Sequence, residues 1–236
     1  NEGGTVAANG AISLKAGTLS NRSGNVTAAG EGSLDARVTD ALDNESGTLA
    51  ANGDVTLQAG TLNNHGGKAA ALGDGSLRAE VTGAVDNTAG LLTGNNAVAL
   101  QAGSLDNRSG QTVAAGEGGL IADVGGMLNN EGGTFAADGD MKLTAGTLNN
   151  RSGKTIAAGD GNLTARIAGA VDNTQGTLVA GKDLDVQAGT LSNSGGVFGS
   201  NQNAVLRTRE LDNAAGSVQA GQALTQCLER AGPVAE

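Results

Sequence analysis

At eleven positions spaced 20 or 23 residues apart along this chain an Asn is followed three residues later by a Gly, and no other feature of the sequence restricts the fold so tightly. The Asn row is Asn1, Asn21, Asn44, Asn64, Asn87, Asn107, Asn130, Asn150, Asn173, Asn193 and Asn213. The Gly row is Gly4, Gly24, Gly47, Gly67, Gly90, Gly110, Gly133, Gly153, Gly176, Gly196 and Gly216. Successive Asn are alternately 20 and 23 residues apart as far as Asn173, and 20 apart after it. A fixed period of this length means copies of one supersecondary unit, each stacking on its neighbours.

Within each unit the apolar residues alternate, as in "ISLKA", "VTLQA" and "MKLTA", which is the period of a strand. A small residue recurs seven positions after the Asn, as Ala8, Ala28, Ala51, Ala71, Ala114, Ala137, Ala157, Ala180 and Ala220. An aliphatic residue precedes each junction, among them Leu19, Leu42, Leu62, Val85 and Leu105, and is followed by Asp, Asn or Ser. Helical solenoid units are longer, and the Leu-x-x-Leu-x-Leu signature of leucine-rich repeats is missing. The expected fold class is therefore all-β, a right-handed single-stranded parallel β-helix of about eleven coils with alternating 20- and 23-residue repeats. Three short strands per coil and a rise of roughly 4.8 Å give a rod about 50 Å long.

Composition agrees. Trp and Tyr are absent and Phe occurs only as Phe135 and Phe198, so the interior must be a thin stack of aliphatic side chains. Gly is frequent, at 41 residues, but 38% hydrophobic residues in periodic order favour burial over disorder. Residues 1–222 are expected to form the β-helical shaft, and 223–236 an irregular tail or cap. There Leu224 and Leu228 stand four apart, as in a short helix, with Gln226 where an inward Leu is expected.

Several rows carry sharper expectations. The Asn side chains are expected to point inward and form an amide ladder, and the Gly row to supply the positive φ of a tight corner. The residues after the Asn, Glu2, Arg22, Glu45, His65, Thr88, Arg108, Glu131 and Arg151, are expected to pair as ions between coils. Ten residues after the Asn runs an acidic row, Glu31, Asp54, Asp74, Glu117, Asp140, Asp160 and Asp183, whose like charges are expected to repel. Solvation of these carboxylates is favoured over cation binding, because the Gly-Gly-x-Gly-x-Asp calcium repeat is missing. The longer coils are expected to take their three extra residues late in the unit, within "ARVTDALD", "AEVTGAVD", "ADVGGMLN" and "ARIAGAVD", making a ridge every second coil as a contact surface. Sequons occur at Asn21, Asn25, Asn44, Asn107, Asn150 and Asn162, four of them at ladder positions that a glycan would break.

A net charge of −10 offers nothing to a phosphate backbone, so nucleic acid is not an expected partner. No apolar run reaches the roughly 20 residues of a membrane span. Cys227 is the one cysteine and His65 the one histidine, far apart along the rod, and the carboxylates form repeating rows without a distinguished pair. No catalytic residue, metal ligand or cofactor-binding residue is expected, and no cofactor.

The stretch "LNNRSGKTIAAGDGNLTARIAGAVDNTQGTLVAGKDLDVQAGTLSN" resembles the repeat of filamentous haemagglutinin-type adhesins, in its joint Asn-x-x-Gly, "AAG/ANG" and "L-x-A-G-x-L-x-N" pattern. The resemblance spans residues 1 to about 222. It implies a large Gram-negative exoprotein, exported by two-partner secretion through an outer-membrane β-barrel transporter and displayed on the cell surface as a β-helical fibre. Such a segment would be a shaft that projects a distal activity, its neighbours being further coils of the same long chain. Some relatives adhere to host cells or form biofilm, and others deliver a contact-dependent inhibition toxin. A host or neighbouring-cell surface receptor is thus a possible partner; a carbohydrate-active β-helix enzyme is a distant third reading.

Overall fold

The computed structural model describes residues 1–228. All regular structure among them is β; with no helix present, none is long and apolar enough to cross a membrane. Each coil contributes three strands, as in Thr5–Ala8, Ile12–Ala16 and Leu19–Ser20 of the first, and each strand pairs in parallel with its equivalent one coil later. The first strands of all coils form an 11-stranded sheet, and the second and third strands together a 19-stranded sheet. In the sixth and seventh coils the second and third strands fuse, as Gly119–Asn129 and Met141–Asn149.

Because pairing is in register, every inward position becomes a row. On the first strand Leu49, Leu92, Phe135, Leu178 and Phe198 are fully buried, and Thr112 and Thr155 occupy the same row on either side of Phe135. Their hydroxyls are not orphaned: Thr112 Oγ1 donates to Asn107 Oδ1 at 3.3 Å and Thr155 Oγ1 to Asn150 Oδ1 at 3.1 Å. The neighbouring Ala row contains one Ser, Ser200, between Ala180 and Ala220, and its buried Oγ has no partner.

The Asn row lies inside. Asn21 through Asn193 are all fully buried, and each Nδ2 donates to the Oδ1 of the next coil's Asn, in ten bonds from Asn1 to Asn213 of 2.6–2.8 Å. The same Nδ2 also reaches a strand carbonyl of the next coil, for instance Lys154 from Asn130 at 3.1 Å. An apolar side chain here would strand these acceptors, since a buried amide is tolerated only when its bonds are made. Burial also closes the sequons at Asn21, Asn44, Asn107 and Asn150 to a glycan.

The Gly row does a different job from the one expected of it. Positive φ falls one residue earlier, at Gly3, Ser23, Ser46, Gly66, Ala89, Ser109, Gly132, Ser152, Gln175, Gly195 and Ala215. What excludes a side chain at the following Gly is distance. A Cβ on Gly133 would lie 2.1 Å from the Asn107 carbonyl oxygen of the coil below, and on Gly153 2.2 Å from that of Asn130. Glycine is used for close backbone approach, while Ser, Ala and Gln are held left-handed beside it.

The extra residues of the longer coils are also placed differently. Five residues separate the strand ending at Ala28 from the one starting at Leu34, against three between Ala8 and Ile12. Only one insertion is late: three residues lie between Val38 and Leu42 where their partners Ala16 and Leu19 are separated by two. The tail differs too. Leu224–Leu228 is a strand paired with Ala204–Thr208, in place of the expected helical turn, and the rest of that segment lies outside the described residues.

Candidate contact surface

His65 is exposed beside its ladder Asn, and Cys227 is exposed on the last described strand. Among the described residues no three His, Cys, Asp or Glu converge closely enough to hold a metal ion.

The two-residue insertion reorganises the acidic row. Glu31, Asp74, Glu117 and Asp160 sit exposed at the tips of the longer turns, each between two glycines, so they recur every second coil, about 10 Å apart. Asp54, Asp140 and Asp183 instead stand just before their second strands, where the next coil presents Ser76, Asn162 and Asn203. Asp140 Oδ1 accepts from the Asn162 backbone N–H at 2.8 Å and from its Nδ2 at 2.9 Å, and Asp183 Oδ1 treats Asn203 likewise at 3.0 and 2.9 Å. Repulsion is thus avoided by interleaving a neutral donor between acids.

Ion pairing is likewise redistributed. Arg22 does meet Glu45 across a coil, at 3.2 Å, but it also meets Asp43, which precedes the ladder Asn. Arg108 turns back to Asp106, two residues earlier in the chain, at 2.7 Å, and Arg151 reaches Asp172 at 3.1 Å. The reason lies in the Asp/Asn/Ser position before each ladder residue. Its side-chain oxygen caps the backbone N–H two residues on, as Asp43 does for Glu45 and Asp172 for Thr174, which fixes an acceptor beside the arginines. The Arg108 guanidinium bonded to Asp106 has its pKa raised, but at such exposed sites the pairs contribute little.

A trough runs along the bend between the second and third strands. Its floor is the row Gly60, Gly83, Gly103, Gly126, Gly146, Gly169 and Gly189, each two residues before the junction aliphatic, with Asp40 below it and Arg209 above it in the same position. A Cβ on any of these seven would come within 2.5–3.0 Å of the carbonyl oxygen one coil below, so the bend too is close-packed, though less tightly than the Asn corner. This constant offset is legible in the sequence, although the aliphatic rows draw the eye first.

Two cavities lie in the trough, of about 760 and 440 Å³. One wall is the outward row Lys15, Arg37, Gln58, Glu80, Gln101, Asp123, Thr144, Arg166, Gln187 and Arg207, in which no two neighbours are alike. Glu80 accepts from Gln58 Nε2 at 2.7 Å and pairs with Arg78, and these hydrogen bonds, Gln58's foremost, hold its carboxyl below the usual range. Asp185 is held low in the same way, chiefly by Arg166 Nη2 at 2.8 Å and then by Arg207 Nη1 at 2.5 Å. The larger cavity thus has acids, Glu80 and Asp123, in its lining, and the smaller one has none.

With a parallel coil, an internal Asn row and a Gly corner established, comparison with known families is decisive. The haemagglutinin repeat family matches residues 1–37, 27–88, 73–119, 113–174 and 157–226 in overlapping segments. The chain belongs to this family. No curated protein and no solved structure gave a match. Membership of the haemagglutinin repeat family makes this an adhesin-like exoprotein repeat region with a structural, solenoid-forming sequence, and the rows described above are the physical content of that repeat.

Proposed function

We propose that this haemagglutinin-repeat segment is a shaft: a rigid spacer in a larger secreted surface exoprotein that holds a distal activity away from the cell. The observation that carries the reading is the unbroken register. Eleven ladder Asn stack through ten continuous hydrogen bonds with no coil omitted, and sequence variation is pushed to the outside. A row of identical, mutually satisfied amides resists bending and unravelling more than it recognises anything. Catalysis needs the repeat broken locally so that unlike groups converge, and the shaft has no such break among its described coils.

On this reading the chain is extracellular, its neighbours are further coils of the same polypeptide, and export is by a two-partner outer-membrane transporter. A weak adhesive contribution from the exposed trough fits the same picture. The second reading, a receptor-contacting stretch of a contact-dependent inhibition exoprotein, is favoured by the varied wall of that trough.

The test is deletion of residues 87–129, one short and one long coil totalling 43 residues, which preserves the alternation. In the full-length exoprotein a shaft predicts that cell adhesion or toxin delivery survives with a fibre shorter by about 10 Å. Abolition of receptor binding, with secretion intact, would assign the segment to contact instead. Turnover of a polysaccharide by the isolated chain would overturn both readings.

A further inference from the structure

We propose that the smaller trough cavity binds a carboxylate carried by an acidic peptide segment. Arg166, on the second strand of the eighth coil, reaches up to the ninth, where its Nη2 donates to Asp185 Oδ2 at 2.8 Å. Its Nη1 is screened from solvent and has no hydrogen-bond partner among the described residues. Arg209, on the tenth coil, folds down, so that its Nη2 comes 3.0 Å from where a Cβ on Gly189 would stand. Arg166 from below and Arg209 from above thus both line a cavity of about 440 Å³ over the ninth coil, together with Gln187 and Gly189.

The charge of this spot runs against that of the chain. Asp and Glu outnumber Lys and Arg by 24 to 14, yet the cavity lining holds two arginines and no acid. The nearest carboxylate in the hydrogen-bond network, Asp185, is already shared between Arg166 and Arg207, and Glu210 faces a different depression with Thr190 and Asp212. An incoming oxyanion would meet two arginines and no competing carboxylate in this lining, and the charge-assisted bonds they offer are ones that neither water nor a neutral group matches.

The class of ligand follows from what else the cavity offers. Its floor is Gly and Ala, which admits an extended chain close to the backbone, and Gln187 supplies an amide that can both donate to and accept from a peptide group. No aromatic face is available for a sugar ring, since Trp and Tyr are absent and Phe135 and Phe198 are fully buried. Recognition therefore rests on charge and peptide-like hydrogen bonds, as in Arg-based acidic-motif binding.

The test is a titration of the whole chain with a fluorescent acetylated Gly-Asp-Gly-Asp-Gly peptide and its Gly-Asn-Gly-Asn-Gly counterpart, at low and at physiological salt. The acidic peptide is expected to bind saturably, more tightly at low salt, with the Asn peptide at least about tenfold weaker. Arg209→Gln, at an exposed position that leaves the fold intact, is expected to weaken binding severalfold, and Arg166→Gln with Arg209→Gln to remove it. Arg37→Gln, in the larger cavity, is expected to leave it unchanged. Equal binding of both peptides, binding indifferent to Arg209→Gln, no binding at all, or saturable binding of an oligouronate alone would each overturn the proposal.

Discussion

Two rows run the length of the rod, and they obey opposite rules. Inside, the corner position is Asn in every coil. Outside, along the trough wall, Lys15, Arg37, Gln58, Glu80, Gln101, Asp123, Thr144, Arg166, Gln187 and Arg207 follow one another with no residue the same as the one in the next coil. The spacing between coils is the same for both, so geometry alone does not account for the difference. The inner amide must both donate upward and accept from below in a place without water, and Asn is the shorter of the two side chains that carry a separate amide donor and carbonyl acceptor. The outer residues have water as a partner of last resort, so each coil is free to differ. In such a fold identity marks what holds the rod together, and variety marks where it can be read by something else.

The sharpest way to break that contrast is at the inner corner. Gly133→Ala is expected to have the largest effect, a loss of about 3 kcal/mol or more, because the added Cβ would meet the Asn107 backbone oxygen at 2.1 Å and only the main chain can yield. Thermal or urea unfolding measures it. Asn130→Ala follows, at about 1 to 3 kcal/mol, since it removes the buried bonds to the Asn107 Nδ2, the Asn150 Oδ1 and the Lys154 carbonyl together. A neutral result there would place the side chain in solvent.

Ser200→Ala sharpens the comparison from the other side. The Ser departs from an otherwise Ala and Gly row and leaves a buried hydroxyl without a partner, so restoring Ala is expected to raise stability by about 1 kcal/mol. Outer changes rank lower. Asp185, whose carboxyl is held below its ordinary value by Arg166 and then Arg207, contributes stability that is fully present above the unfolded pKa near 4 and is lost as pH falls through the lower folded value. A melting-temperature profile is expected to fall in that acid range, with Asp185→Asn flattening part of the slope. Smallest of all is Arg22→Ala, which removes two exposed ion pairs and is expected to leave the melting temperature almost unchanged.

The same contrast explains what could be read from the sequence. The parallel β-helix follows from Ile12-Ser-Leu14 alternation repeated at a fixed period, because a misregistered coil would turn its apolar face outward. The Asn period was visible for the same reason. Which residue bends the corner was not. Ser152 at φ 51° and Gly153 at an ordinary φ look reversed to a reader who equates Gly with left-handed backbone, because the carbonyl that excludes a Cβ belongs to Asn130, one coil away in space. Counting ten residues from each Asn put Asp140 and Asp160 into one acidic row. The structure separates them, because the longer coil takes two of its three extra residues in the first turn and only the strand register reveals this. The trough is hard to read from sequence because its meaning lies in the missing side chains of Gly103, Gly126 and their neighbours.

Side-chain amide hydrogen exchange tests the central claim most directly. If an internal ladder holds the coils together, the Nδ2 protons of Asn44 through Asn173, fully buried and bonded at each step, will exchange only as fast as the rod unfolds, alongside core backbone amides such as Leu143. Exposed amides such as Asn9 and Asn95 will exchange freely. Ladder protons that exchange as fast as those of Asn95 while the backbone stays protected would contradict the account.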